Sequence, residues 1–334
     1  MSDDLAGRTP RRRMLQCAGA LAFAILLAPA AAQAQSKYPD RPVKFVVPFA
    51  AGGATDIIAR AIGQPLSQVL GQSVIIENRP GAGSNLGAGV VAKSEPDGYT
   101  FLLASSGIIA SPALYRSLTY DVTKDLTPVA ELVTTTNLIV SKPGSGLDTL
   151  ADVINRAKAN PGTMNYVHPG VGTTPQLAFE LLKLRANITV QSVAYGGAAP
   201  ASQAILAGTV PLGSMALANI HGQVKAGTFK GVAVTGATRW HDLPDIPTVQ
   251  ESGYKDFDFE TIFLLMAPAG TPQEIIRRMS KEVIAILQSP EVSQRVKAAG
   301  YDVLARGPEA LKARMEKEIP LYKDIVQRAG IPVN

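Results

Sequence analysis

The residues best suited to hold a small molecule in this chain are glycines and hydroxyl side chains placed where an apolar strand hands over to a helix. Val43–Val47 has strand character and stops at Pro48, and an apolar run of helical period resumes at Ile57 after Phe49, Ala50, Ala51, Gly52, Gly53, Ala54, Thr55 and Asp56. The glycine pair lets the backbone turn tightly and approach a ligand, and Thr55 or Asp56 is placed to cap the helix. The first N–H groups of such a helix have no internal acceptor and together carry about half a positive charge, so an anion is favoured there. Gly170-Val171-Gly172-Thr173-Thr174-Pro175 repeats the arrangement. Thr173 or Thr174 can cap, Pro175 suits the first turn, and Thr173 to Gln176 has capping-box spacing. Tyr195-Gly196-Gly197-Ala198 opens another helix, and Gly83, Ser84 and Asn85 make a further helix start. Several such ends can clamp a molecule bearing more than one carboxylate through backbone dipoles and hydroxyls; each taken alone also reads as a capped turn with no ligand.

Other chemistries find no pattern. Residues 87–94 imitate a phosphate-binding loop, but Ala92 stands where a glycine must precede the lysine and the segment reads as helix. Gly81, Gly83 and Gly87 imitate a dinucleotide fingerprint with the wrong last spacing. His168, His221 and His241 lie far apart in no metal-ligand pattern, and only His168, at the end of a strand, is kept as a candidate contact. No serine lies in a nucleophile elbow. No catalytic residue, metal or cofactor is expected.

Composition narrows the class. The 334 residues include one cysteine, Cys17, and carry 32 basic and 27 acidic side chains. Arg8, Arg11, Arg12 and Arg13 precede an apolar run that ends in small residues near Ala34, which reads as a secretory signal peptide over residues 1–34. The arginine cluster also resembles a twin-arginine signal, so either export route is open. Without the signal the chain has no cysteine and a net charge of +3, which argues against thiol chemistry, disulfides and a nucleic-acid partner.

Beyond residue 37, short apolar strands alternate with helix-period segments, the signature of an α/β protein with largely parallel sheets. Strands are expected at residues 73–77, 99–104, 164–167, 190–194, 231–235 and 301–304, and helices at 86–92, 150–159, 175–184, 200–206, 273–288, 291–299 and 308–329. Two longer β-rich runs, 129–141 and 259–267, bracket a middle block. They imply a discontinuous first domain, 35–138 with 260–334, and a hinged second domain, 139–259, with a ligand between them.

The stretches YPDRPVKFVVPFAAGGATDIIAR, ENRPGAGSNLGA, EPDGYTFLLASSG, ANPGTMNYVHPGVGTTPQLAFELL, YGGAAPA, RWHDLPDIPTVQESGY and APAGTP resemble, in order and across essentially the whole mature chain, the substrate-binding receptors of tripartite tricarboxylate transporters, the Bug receptor family. The resemblance implies a two-domain periplasmic-binding-protein clamshell, each domain a mostly parallel sheet flanked by helices, joined by two crossing strands. It implies a monomeric periplasmic receptor that binds an aliphatic or aromatic carboxylate without catalysis and delivers it to membrane permease subunits. A sensor presenting its closed form to a signalling partner, or a periplasmic hydrolase or isomerase, are the alternatives. Carried over, the first-domain ligand loop falls on Phe49, Ala50, Gly53, Thr55 and Asp56, with Asp56 more a brace than a contact. The second-domain groups are Gly172, Thr173 and Thr174 with Tyr195 and Gly196; Ser84, Asn85 and Ser106 are further candidates. The chain departs from the family where a second glycine is common, at Ser84, near His168, at Gln176, and over residues 260–263.

Overall fold

The structure, a computed structural model, describes residues 38–333, so the expected signal peptide lies outside the described residues. Residues 41–334 form one compact unit. Its described part contains ten strands and ten α-helices. In chain order they are β1 (Val43–Val47), α1 (Ala54–Leu70), β2 (Val74–Asn78), a single 3-10 turn (Ala82–Ser84), α2 (Asn85–Ala92), β3 (Thr100–Ser105), α3 (Gly107–Leu114) and β4 (Leu126–Ser141). Next come α4 (Leu150–Ala159), β5 (Asn165–His168), α5 (Thr174–Ala186), β6 (Gln191–Ala194), α6 (Ala198–Ala207), β7 (Leu212–Ala216), α7 (Leu217–Lys225) and β8 (Lys230–Val234). The chain ends with β9 (Glu260–Pro268), α8 (Gln273–Gln288), α9 (Pro290–Ala298), β10 (Asp302–Arg306) and α10 (Pro308–Arg328).

The strands run in the order β2-β1-β3-β9-β4-β7-β5-β6, with β8 and β10 also paired to β4. Parallel pairing, the expected mode, holds for β2-β1-β3 and for β7-β5-β6. Every antiparallel pair involves β4 or β9. These two strands run through the middle of the sheet antiparallel to each other and to every other strand they pair with. Strand β4 pairs with β9 up to Thr136 and with β7 from Asn137, so one strand serves both halves of the sheet.

Burial explains the elements. Helix α1 buries Ile58, Ile62, Leu66 and Leu70, one residue per turn, and ends at Gly71, whose φ of 67° suits a left-handed cap. All but two of the sixteen residues of β4 are buried, and β9 is buried from Thr261 onward, as strands covered on both faces require. The sequence reading places the start of β4 three residues late because Pro128 resembles a strand breaker; it sits instead beside a register shift, where a missing N–H is tolerated. Helices α3 and α7 and strand β7 were not expected. Each is short, and α3 carries Pro112 while β7 carries Gly213, so local pattern is weak and tertiary packing decides. Among the described residues no helix is long and apolar enough to cross a membrane.

Candidate functional site

A cleft of about 610 Å³ opens where the two halves of the sheet meet, and six helices start on its wall. Gly53, Ala54 and Thr55 bring the start of α1, Ser84 that of α2, Gly107 that of α3, Thr173 and Thr174 that of α5, Gly197 and Ala198 that of α6, and Ala216 and Ala218 that of α7. None of these six helices has a side-chain N-cap. Among the described residues no Asp, Glu, Lys, Arg or His lines the cleft; its polar side chains are hydroxyls and the amide of Asn219.

The side chains expected to cap turn elsewhere. Gly53, not Thr55 or Asp56, is the N-cap of α1, and Asp56 is nearly fully buried beneath the loop. Its carboxylate accepts from Gly52 N at 2.9 Å, Arg60 Nε at 2.9 Å and Asn78 Nδ2 at 3.0 Å, while Asn78 Nδ2 also reaches Phe49 O at 3.1 Å. The Arg60 hydrogen bond, aided by Gly52 and Asn78 and opposed by burial, holds the Asp56 carboxyl below the usual carboxylate range. Thr173 does occupy the N-cap of α5, yet its hydroxyl donates back to Gly170 O at 2.7 Å. The expected capping box therefore does not form; Gln176 Oε1 instead accepts from Gly172 N at 2.6 Å. In both loops the polar side chains hold the turn from behind and leave the first helical N–H groups toward the cleft.

Of the fourteen candidate contacts, nine line the cleft: Phe49, Ala50, Gly53, Thr55, Ser84, Gly172, Thr173, Thr174 and Gly196. Asp56, Asn85, Ser106, His168 and Tyr195 do not. Asn85 is spent on Ala82 O and on the hydroxyl of Tyr120, at 2.8 and 2.7 Å. Ser106 ties α3 to β9 through Ile262, with its hydroxyl 3.4 Å from that of Thr174. His168 is fully buried: Nδ1 lies 2.9 Å from Gly170 O, which can only accept, and 3.3 Å from Gly170 N, so the shorter contact favours the tautomer with the proton on Nδ1, in which Nε2 accepts from the Ser192 hydroxyl at 2.8 Å. Burial pushes the His168 pKa down to about 4. Tyr195 N donates to His168 O, which places it behind the loop. His168 thus shapes the Gly170–Gly172 turn without facing the cleft.

The sequence reading missed Thr135, Thr261, Phe263 and Tyr301, which form the floor, with Phe263 and Tyr301 edge to face at 5.4 Å. It also missed Ser111, Leu114 and Tyr115 on and after α3. The threonines were discoverable, since both lie on the two strands expected to cross the cleft. Gly172 has φ +77°, which favours glycine, and a Cβ there would stand 2.3 Å from Leu114 Cδ1, so any other residue would be strained and would push the Leu114 side chain aside where the α5 loop meets α3.

Residues 58–331 match the model of the tripartite tricarboxylate transporter family receptor. Protein BugT of Bordetella pertussis is 32% identical over 295 residues, covering 88% of this chain and 90% of its own. Among solved structures, Rpa4515 of R. palustris with adipate has a TM-score of 0.79 at 34% identity, covering 89% of this chain and all of that one. MatC from Rhodopseudomonas palustris with bound malate has a TM-score of 0.75 at 31% identity, covering 86% of this chain and all of that one. The periplasmic binding protein BugD is likewise similar, at a TM-score of 0.76 and 32% identity over 89% of this chain and all of that one. By sequence over most of its length, and by fold, this chain belongs to the tripartite tricarboxylate transporter receptor family.

Proposed function

We propose that this protein is a periplasmic receptor that captures a small organic carboxylate in the cleft and delivers it to the membrane permease of a tripartite tricarboxylate transporter. The observation that carries the reading is the set of six helix starts on a cleft wall without a charged side chain among the described residues. Their N–H groups offer an anion oriented donors that need no reorganisation, and the absence of nearby carboxylates removes repulsion. Adipate and malate, held by the two similar structures, are acids of this kind. The apolar side chains Phe49, Leu114, Val171 and Phe263 suit the carbon skeleton between the polar ends.

Residues 35–138 with 260–334, and residues 139–259, are the two bodies that close on the ligand, hinged on β4 and β9. The change of partner along β4 between Thr136 and Asn137 supports that division. Backbone N–H groups near Gly53, Thr55, Thr173, Thr174 and Gly197 are the contacts this reading assigns.

Thermal denaturation against aliphatic and aromatic mono-, di- and tricarboxylates, amino acids and neutral amides tests the proposal. An acid at a hundredfold excess over its dissociation constant adds about 2.7 kcal/mol and shifts the midpoint visibly. Shifts with neutral amides alone would replace the carboxylate reading.

A further inference from the structure

We propose that Ser84 is a specificity-determining contact of this cleft, its hydroxyl donating a hydrogen bond to a carboxylate oxygen of the bound acid; this rests on the carboxylate reading above. Ser84 lines the cleft and is 2% exposed. Its Oγ has no hydrogen-bond partner, and of the three such buried atoms among the described residues it alone belongs to a cleft residue. Its backbone is left-handed as well, at φ 84° and ψ −11°, following Ala82 at 47° and Gly83 at 60°.

Two costs therefore coincide at one position. A buried hydroxyl that lacks a partner forfeits its hydration, and a residue with a Cβ is strained at positive φ. Glycine would carry neither. The strain is not offset by bonds the side chain makes inside the protein, in contrast to the next residue, Asn85, whose amide is committed to Ala82 and Tyr120. What the hydroxyl can gain is an acceptor arriving in the cleft. A single rotation about Cα–Cβ between staggered positions redirects Oγ without moving the backbone. No cation lines the cleft, so a neutral donor here counts for more than it would beside a lysine or arginine, and a carboxylate oxygen is the strongest acceptor such a donor can meet.

The test compares wild type with Ser84→Gly and Ser84→Ala. Both remove the hydroxyl; Gly also relieves the left-handed backbone, and Ala does not. The probe is whichever of adipate, succinate, malate, hexanoate and benzoate shifts the wild-type midpoint most, titrated by calorimetry. The expected result is a loss of affinity of about tenfold or more in both variants, with the unliganded midpoint of Ser84→Gly above that of Ser84→Ala. Equal loss at unequal stability assigns the effect to the hydroxyl. Wild-type affinity in both variants would overturn the Ser84 contact and leave the receptor reading standing. No binding of any of the five acids by wild type would instead overturn the carboxylate reading, and the Ser84 contact with it.

Discussion

Two cavities flank the crossing strands, and they treat charge in opposite ways. The cleft carries no ionisable side chain except tyrosine, whereas a smaller cavity of about 260 Å³ is lined by Glu131, Asp258, Glu260, Glu318, Arg306, Arg314 and Lys317. The same strands build both. Glu260 of β9 faces the charged cavity and the adjacent Thr261 faces the cleft, as alternation along a strand requires. In the charged cavity most polar groups satisfy one another; Glu131 Oε2 accepts no hydrogen bond but lies 3.6 Å from Arg306 Nη1. Arg314 donates to Glu131 at 2.5 Å and to Glu318 at 2.8 Å, Tyr322 donates to Glu318 at 2.8 Å, and Thr134 donates to Glu260 at 2.9 Å. Burial raises the pKa of Glu260 and of Glu318, while the carboxylate partners of Arg314 outweigh its burial and raise its own. In the cleft only the α7 start has a side-chain partner among the described residues, Ala218 N donating to the Thr135 hydroxyl at 3.3 Å. A nearly finished network holds the structure together, and an unfinished one accepts a guest.

Breaking the nearly finished network should have the largest effect. Arg314→Met takes from Glu131, 1% exposed, and from Glu318 their hydrogen-bonded cation, leaving Glu131 only Arg306 at 3.6 Å, and stability measured in denaturant should fall by about 3 kcal/mol while acid affinity stays unchanged. A small stability loss, or a loss of binding, would erase the separation between the two cavities.

Putting a charge into the unfinished site is the converse. Thr173→Asp places a carboxylate at the start of α5, where it serves as a good cap and repels an anionic ligand. Two like charges about 5 Å apart at an effective dielectric of about 20 repel by about 3 kcal/mol, so acid affinity should fall by about a hundredfold, while the unliganded midpoint falls no further than in Thr173→Ala, which loses the same hydrogen bond to Gly170 O. Unchanged affinity would take the α5 start out of the site.

A pH series sharpens the contrast. With no cleft group titrating near neutrality, acid affinity should be flat between pH 6 and 8 once the ligand is fully ionised. Stability should not be flat. Burial lowers His168 from its ordinary value of 6.5 to about 4, so the unfolded chain takes up this proton before the folded one does. The stabilisation is complete above the unfolded value and is lost as pH falls from 6.5 toward 4, by about 2 kcal/mol between pH 7 and pH 5. Glu260 and Glu318, raised by burial, act in the opposite sense, so the relevant quantity is the difference in slope between wild type and His168→Gln. Equal slopes would show that His168 takes up its proton as readily in the folded protein as in the unfolded chain.

The smallest effect concerns an ordinary helix start away from the cleft. Helix α4 has the full capping box that α5 lacks: Thr149 accepts from Asp152 N at 3.2 Å, and Asp152 accepts from Thr149 N at 2.9 Å. Thr149→Ala should cost about 1 kcal/mol of stability and leave binding untouched. Thr173→Ala, which removes no cap, should act mainly through the Gly170 turn.

The strand-glycine-helix turns were legible because each is local: the glycines, hydroxyls and onset of helical period sit within a few residues of one another. Nine of the candidate contacts stand on the cleft for that reason. The side-chain directions were not legible. Thr173 and Gln176 have capping-box spacing, but Gly170 O and Gly172 N, brought near by the turn, offer them other partners. His168 ends a strand pointing toward the cleft, yet Ser192 from the neighbouring strand holds its ring behind the loop.

By itself the sequence determined the alternation of strands and helices, the positions of the glycine turns, the two long strands that cross, and the family to which the whole pattern belongs. These depend on periodicity, on backbone freedom at glycine and on the order of motifs along the chain. Tertiary structure alone decided that six helix starts share one cleft, that Thr135, Thr261, Phe263 and Tyr301 close its floor, and that the charges of β4, β9 and α10 meet in a separate cavity. Those contacts join residues far apart in the chain, Glu131 and Arg314 by 183 positions, and no local pattern encodes which of many polar side chains will be neighbours once the sheet has formed.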